Sequence, residues 1–378
     1  MLIQSFNRLV SPLTRRVPLR TILTVPFIIQ LLATVGLTGY LSWRNGQRAV
    51  NDVASQLRDE VTERVQLRLE NYLEKPHFIT QMNVRSARLG LLSFEDKQFS
   101  EYLLWEQVQL FNSVYAIYFG SEEGEFIYVK REPDGSSVAK RVEFPPARYS
   151  YRLNEEGDRS EFIEVDEYDP RGRPWYVNTL LTEKPNWSKI YTFTGGELGI
   201  TASDLFYDTQ GNFRGVIGVD IILSLISDYL ENINISENGQ VFIVERSGLM
   251  VATSTGENPF TVRKSDNKAE RLAATQSQNK LTAATAEYLL KNYQHLSQIQ
   301  KSQQLDFYWE GQRKFLQVVP YKDQLGLDWL IIVVAPENDF MGQIYANTRT
   351  TIFLCIIAFI VAFAVGIFTA QWVTKPIL

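Results

Sequence analysis

The chain has 378 residues, 38 Lys+Arg against 43 Asp+Glu, a net charge of −5 and a single cysteine. That length allows two ordinary domains beside any terminal segments. The mild negative balance argues against nucleic acid as a partner, one cysteine excludes an internal disulfide, and two histidines far apart, His77 and His295, argue against a zinc site.

In chain order, Arg8, Arg15, Arg16 and Arg20 precede an uncharged run at 21–43, "TILTVPFIIQLLATVGLTGYLSW". As a helix it would measure about 35 Å, so a first transmembrane helix is expected there, with residues 1–20 cytoplasmic by the positive-inside rule. Residues 44–111 read as a long helical stalk. Val50, Val53, Leu57, Val61, Val65 and Leu69 recur at spacings of three and four, and Pro76 is expected to break or kink the run. The stripe suits either an amphipathic helix lying on its own domain or one that pairs with a second subunit in a homodimer.

From residue 114 the period changes. "VYAIYFGSEEGEFIYVK" is two β-rich stretches around a Glu-Gly turn, and 239–254 repeats the design around Ser-Gly. Residues 202–221 and 314–335 each read as a closing hairpin. Two α+β modules follow, 112–225 and 226–349, joined by a short helix at "SLISDYLENIN", with 264–304 helical and solvated inside the second. A second uncharged run, 350–373, is expected to span a membrane and holds Cys355. The fold class expected is therefore α+β: a long N-terminal helix, then two antiparallel-sheet modules, flanked by two transmembrane helices. Residues 44–349 would then face outward.

The candidate site starts at "DPRGRPWYVNTL", 169–180. Arg is shaped for bidentate carboxylate recognition and a tryptophan N–H adds a donor, so Arg173 and Trp175 are candidates for gripping a carboxylate. A surface arginine stacked on a packed tryptophan is the plain alternative. Asp220 is the sole charge in "GVIGVDII" (215–222), and a buried carboxylate is costly unless paired. Gly218 shares its face and is expected to leave space for an incoming ammonium; an internal salt bridge to Arg173 is the alternative. Tyr168, Tyr176 and Tyr191 offer hydroxyls and ring faces attractive to a cation. The second module has neither the Arg-x-Trp-Tyr run nor a strand aspartate.

Two spans around a long helix and two PAS-like modules resemble the double Cache (dCache) sensor domain of bacterial transmembrane receptors. The set Tyr168, Arg173, Trp175, Tyr176, Tyr191 and Asp220 is similar to the motif of its amino-acid-binding subfamily. The resemblance implies that Arg173 and Trp175, helped by Tyr168, hold an α-carboxylate, while Tyr176, Tyr191 and Asp220 hold the α-ammonium. It also implies that 112–225 is the membrane-distal, ligand-binding module and 226–349 the membrane-proximal one. The location implied is a two-pass protein of the bacterial inner membrane, its sensor region periplasmic. "TKPIL" (374–378) looks like the start of a HAMP linker. No cofactor is expected, and the partners expected are a free amino acid, the membrane and a second copy of the chain. Other readings are a receptor for a small amine or carboxylate using half the site, a ligand-free structural ectodomain, and an enzyme. The last has no nucleophile motif, metal cluster or phosphate loop behind it.

Overall fold

The structure is a computed structural model and describes residues 19–132, 134–262 and 269–374. The expected cytoplasmic segment up to residue 18 and all but the first residue of the HAMP-like stretch lie outside the described residues. By contact density the chain divides into one unit of residues 57–335 and another of 1–56 with 336–378.

Helix α1 (Leu19–Arg88) runs through Pro76 without a break, whereas a break or kink was expected there. In the part belonging to the larger unit, Val61, Val65, Leu69, Leu73 and Ile79 are buried, continuing the three-and-four stripe. Helix α2 (Lys97–Leu110) is capped by Asp96, whose carboxylate accepts from the Phe99 N–H, the normal satisfaction of an orphan donor. Asn83 of α1 and Gln107 of α2 exchange two hydrogen bonds in the interior, at 2.8 and 2.7 Å.

The first sheet has nine strands. Eight lie in the order β5 (Arg159–Glu167), β4 (Ala147–Leu153), β3 (Ser137–Phe144), β2 (Phe126–Arg131), β1 (Ala116–Ser121), β9 (Phe213–Ile222), β8 (Leu198–Tyr207) and β6 (Asn186–Trp187), and β7 (Tyr191–Thr192) also pairs with β8. The hairpins read from the sequence at 114–130 and 202–221 are β1–β2 and β8–β9, and β1 joins them by pairing with β9. Alternation divides β1 between two faces. Ile117 and Phe119 enter an aliphatic core with Leu104 and Val108 of α2 and Ile79 of α1. Ala116 and Tyr118 enter an aromatic cluster on the other face, with Trp175 and Tyr176 of α3 (Pro174–Thr182). Full burial of such side chains contributes about 1.5–3 kcal/mol each, so the aliphatic face anchors the sheet and leaves the aromatic face to be shaped by its polar groups.

Helix α4 (Ser224–Glu231) joins this sheet to a five-stranded one, ordered β11 (Met250–Thr253), β10 (Gln240–Glu245), β16 (Asp328–Pro336), β15 (Gln312–Lys322), β14 (Gln303–Trp309). A small pair, β12 (Phe260–Val262) and β13 (Ala269–Arg271), forms its own sheet, tied to the larger one by Arg271, which pairs with Glu245. Helix α5 (Lys280–Tyr293) is less solvated than its polar composition suggests, because Leu281, Ala286 and Leu289 pack on Phe242, Leu316 and Ile332 of the sheet. Both sheets lie within the larger unit and touch. The Trp187 indole donates to Asp323 at 2.9 Å, its backbone N–H donates to the Leu325 carbonyl, and the His77 ring of α1 stands edge-on to it at 4.6 Å. Burial lowers the His77 pKa to about 4, so the imidazole is neutral there.

In the other unit, Gln47 of α1 reaches the Met341 sulfur of α6 (Asn338–Thr374) at 3.9 Å. Two transmembrane helices are not found: among the described residues no helix is long and apolar enough to cross a membrane. This corrects the flanking spans expected at 21–43 and 350–373. It also removes the two-pass inner-membrane location that rested on them. In the first run, Gln30, Thr34, Thr38 and Ser42 dilute the apolar side chains, and the two threonine hydroxyls donate to carbonyls four residues back.

Candidate functional site

The loop at 169–173 assigns its two arginines different tasks. Asp169 caps a 3₁₀ turn over Pro170–Gly172 by accepting from the Arg171 N–H, and it also takes both arms of the Arg171 guanidinium, at 2.9 and 2.8 Å. That pair is exposed. Arg173 then caps α3 through its backbone, with Pro174 at the first helical position, where a missing N–H costs nothing. Close packing of this loop on the sheet depends on Gly120, where a Cβ would lie 2.8 Å from Pro170 and 3.2 Å from the Trp175 ring.

Arg173 points into a cavity on the aromatic face, lined also by Tyr168, Tyr191 and Asp220, with Tyr115, Tyr118, Tyr128, Lys130, Lys140 and Arg148 completing the walls. The guanidinium lies between two rings, 5.9 Å from the Tyr168 centroid and 5.7 Å from that of Tyr191. Its Nε is buried without a hydrogen-bond partner. The cavity volume is about 40 Å³, room for little more than a water molecule or two.

Asp220 faces the same cavity and is 4% exposed. Its Oδ1 accepts from the Tyr118 hydroxyl and from Thr201 Oγ1, both at 2.6 Å, while Tyr191 bonds the Thr201 hydroxyl at 2.8 Å. Among the described residues no cation lies within ion-pair distance of it, so the salt bridge to Arg173 weighed from the sequence does not form. Burial raises the Asp220 pKa to about 7 against the pull of those two hydroxyls and the more distant Arg173. Burial, reinforced by the Asp220 charge, lifts Tyr118 and Tyr191 well above 10, so both hydroxyls keep their protons and serve as donors.

The space expected over Gly218 is filled. Tyr118 is the cross-strand partner of Gly218, and with no Cβ in the way its ring lies on the glycine, an aromatic–glycine pairing common in sheets. This brings the Tyr118 hydroxyl to Asp220. A Cβ at 218 would sit 2.3 Å from the ring. Gly218→Ala is therefore expected to push the ring off and lower stability by about 1–3 kcal/mol, read by urea denaturation. Unchanged stability would mean that the ring is not held there.

Of the six residues singled out from the sequence, four line the cavity. Trp175 and Tyr176 do not: both are almost fully buried behind it. Trp175 packs edge-on against the Tyr118 ring at 4.8 Å. Burial raises Tyr168 to about 12, opposed by the Arg173 charge and then by the nearby Trp175. Tyr176 is raised to about 12 by burial and then by Glu122, against the pull of Arg171, and Asp220 is not among the charges acting on it. Sequence reasoning missed Tyr118 and Thr201. Their signal is positional: each stands beside the aspartate strand once β1 and β8 are paired with it, and that pairing is a long-range fact.

The Cache domain family dCache_1 matches residues 46–344. Adenylate cyclase 1 of Rhizobium meliloti (strain 1021) is 28% identical over 154 residues, 35% of this chain and 22% of that protein. Methyl-accepting chemotaxis protein McpC of Bacillus subtilis (strain 168) is 29% identical over 120 residues, 31% of this chain and 17% of that one. The chain thus spans about a fifth of the curated relatives it matches. In fold it is similar to the sensory domain of the Campylobacter jejuni chemoreceptor Tlp3, with a TM-score of 0.51 at 13% identity over 79% of this chain and 99% of that one. The ligand-binding domain of Tlp3 in complex with L-valine gives 0.50 at 13% identity, over 78% and 96%.

Proposed function

We propose, for a chain that belongs to the Cache domain family dCache_1 and is a sensor module rather than an enzyme, that the aromatic cavity binds a free α-amino acid. One observation carries this. A buried carboxylate, Asp220, and a guanidinium, Arg173, face one cavity, and neither has an ion-pair partner among the described residues. Opposite charges held apart in one pocket complement a zwitterion. That the ligand-binding domain of Tlp3 was solved with L-valine supports the same reading.

In this proposal Arg173 takes the carboxylate beside Tyr168, and Asp220 takes the ammonium, with Tyr191 bonded to the Thr201 hydroxyl that also holds Asp220. Trp175 acts from behind through Tyr168 and Tyr118, and Tyr176 by seating α3. The division into a helical stalk (44–111), a ligand-binding module (112–225) and a second module (226–349) is part of the proposal. So is self-association through α1, where Leu67 and Phe78 stand exposed eleven residues apart, a spacing that keeps them on one face.

A thermal-shift screen of the full chain against the common amino acids tests it. At a hundredfold excess over Kd the ligand adds about 2.7 kcal/mol, which moves the melting temperature by several degrees, on the order of 2–4 °C per kcal/mol. Calorimetry is expected to find one site per chain, and sedimentation of the same sample reports its association state. An equal shift from the matching amine, or from the N-acetylated ligand, would overturn the assignment.

A further inference from the structure

We infer that the far wall of the cavity is a subsite for a second anionic group, so that the preferred ligand is an α-amino acid with a side-chain carboxylate. The inference rests on the head-group reading above and concerns residues outside it.

Strand register builds the wall. Asp220 stands opposite Ala116, which stands opposite Lys130, and in the next row Tyr118, Tyr128 and Lys140 follow one another across β1, β2 and β3. Paired residues share a face, so both lysines rise on the side of Asp220, and both line the cavity. They lie two and three strands from the aspartate, about 10 and 14 Å between backbones. This places them beyond the zwitterion grip, where a ligand side chain extends.

The charges on this wall are sorted by depth. Lys130 is 12% exposed and its partner Glu132 28%; Lys140 is 15% and Glu164 56%; Arg148 is 4% and Asp166 38%. In each of these three pairs the cation sits deeper than its counter-ion, which water screens, while Glu197, whose Oε2 is buried, adds a negative charge beside Tyr115. Arg148 is committed to Asp166 by two hydrogen bonds and lies over the Tyr168 ring at 4.2 Å. Lys130 is held by Glu132 at 2.8 Å and the Tyr115 hydroxyl at 3.3 Å. Lys140 differs: its ion partner is the mostly exposed Glu164, at 3.7 Å. An ammonium has three donors to satisfy. Burial, then the neighbouring charge of Arg148, lowers its pKa against the pull of Glu164. A carboxylate arriving here gains a charge-assisted hydrogen bond from an ammonium whose one counter-ion is distant and exposed. A cationic ligand side chain would meet like charge, and Lys130 already occupies the Tyr115 ring, 5.3 Å from its centroid, closing one cation–π alternative.

The test is calorimetry on the full chain at pH 8 with L-glutamate against L-glutamine and L-aspartate against L-asparagine, pairs of nearly equal shape. At least one acid is expected to bind about tenfold or more tightly than its amide. Lys140→Met should bring that ratio to within about threefold, while Lys140→Arg keeps it; Lys140→Gln replaces the first variant if its ligand-free melt shows that it is unfolded. Amides that bind as well as the acids, or a preference that survives Lys140→Met, overturn the subsite and leave the head-group reading standing. If no α-amino acid of any kind binds, the head-group reading fails and the subsite with it.

Discussion

Arg173→Ala is expected to weaken amino-acid binding by roughly a hundred- to several-thousandfold. The guanidinium lies in the cavity between the Tyr168 and Tyr191 rings, with its Nε buried and unpartnered. Among the described residues no carboxylate pairs with it, so a ligand carboxylate would supply its counter-charge. Removing one partner of a buried pair costs about 3–5 kcal/mol, because the other is left desolvated and alone, and about 1.4 kcal/mol is a decade in affinity. The fold should survive, since Arg173 caps α3 through its backbone and its side chain makes no cap bond. Arg173→Lys should recover only part of the loss, because an ammonium cannot grip both carboxylate oxygens as a planar fork does. The amine that lacks the carboxylate should bind the wild type about as poorly as the complete amino acid binds Arg173→Ala. Exposed pairs contribute about 0–1 kcal/mol, so a loss of less than about fivefold would show that Arg173 is not the carboxylate grip.

Asp220→Asn is expected to abolish binding and, at the same time, to make the ligand-free protein more stable at pH 8. The folded pKa is about 7 against a reference of 3.8. Between those values the folded state holds a proton that the unfolded chain has released, so this group's contribution to stability falls as pH rises through the window. Above 7 the buried charge costs about 4 kcal/mol. Asparagine keeps an oxygen to accept from Tyr118 and Thr201 and carries no charge. Its advantage over the wild type should therefore be near zero at pH 4 and grow toward that figure by pH 8, as read by urea denaturation. Binding follows the opposite sense. An ammonium needs the ionised carboxylate, so wild-type affinity should fall about tenfold per pH unit below about 7. An Asp220→Asn protein that is no more stable at pH 8 than at pH 4, or that binds with near-normal affinity, would remove the aspartate from the site. Such a trade of stability for function is common where a binding site holds an unpaired charge.

Part of the fold and of the cavity's lining could be read because it is local in sequence or marked by a break in pattern. The four hairpins carry their own turns and alternation, and Asp220 is conspicuous as the one charge in an apolar strand. What escaped depends on pairing. Nothing in "SVAKRVEF" or "ARYSYRL" announces that β3 and β4 extend the first sheet, because charged residues interrupt the alternation. Those same charges, Lys140 and Arg148, belong to the cavity wall and not to solvent. The room expected above Gly218 was lost to Tyr118, whose position opposite the glycine follows from β1 lying beside β9, about a hundred residues away. Pro76 was expected to interrupt α1, yet the stripe on either side of it is buried, and tertiary packing outweighs the loss of one backbone bond. The two uncharged runs were judged by length and lack of charge. In the first, the diluting polar and glycine positions weigh against a span.

The small volume of the cavity has a consequence in time. An amino acid is larger than the roughly 40 Å³ present, so on the proposed reading it would enter only once lining side chains had moved aside. Its apparent affinity is then diluted by the fraction of molecules open at any moment. Association falls below the diffusional rate, and departure must wait for the same opening. A sensor built this way would respond to the concentration of its ligand averaged over many openings, and brief fluctuations in supply would pass without being recorded.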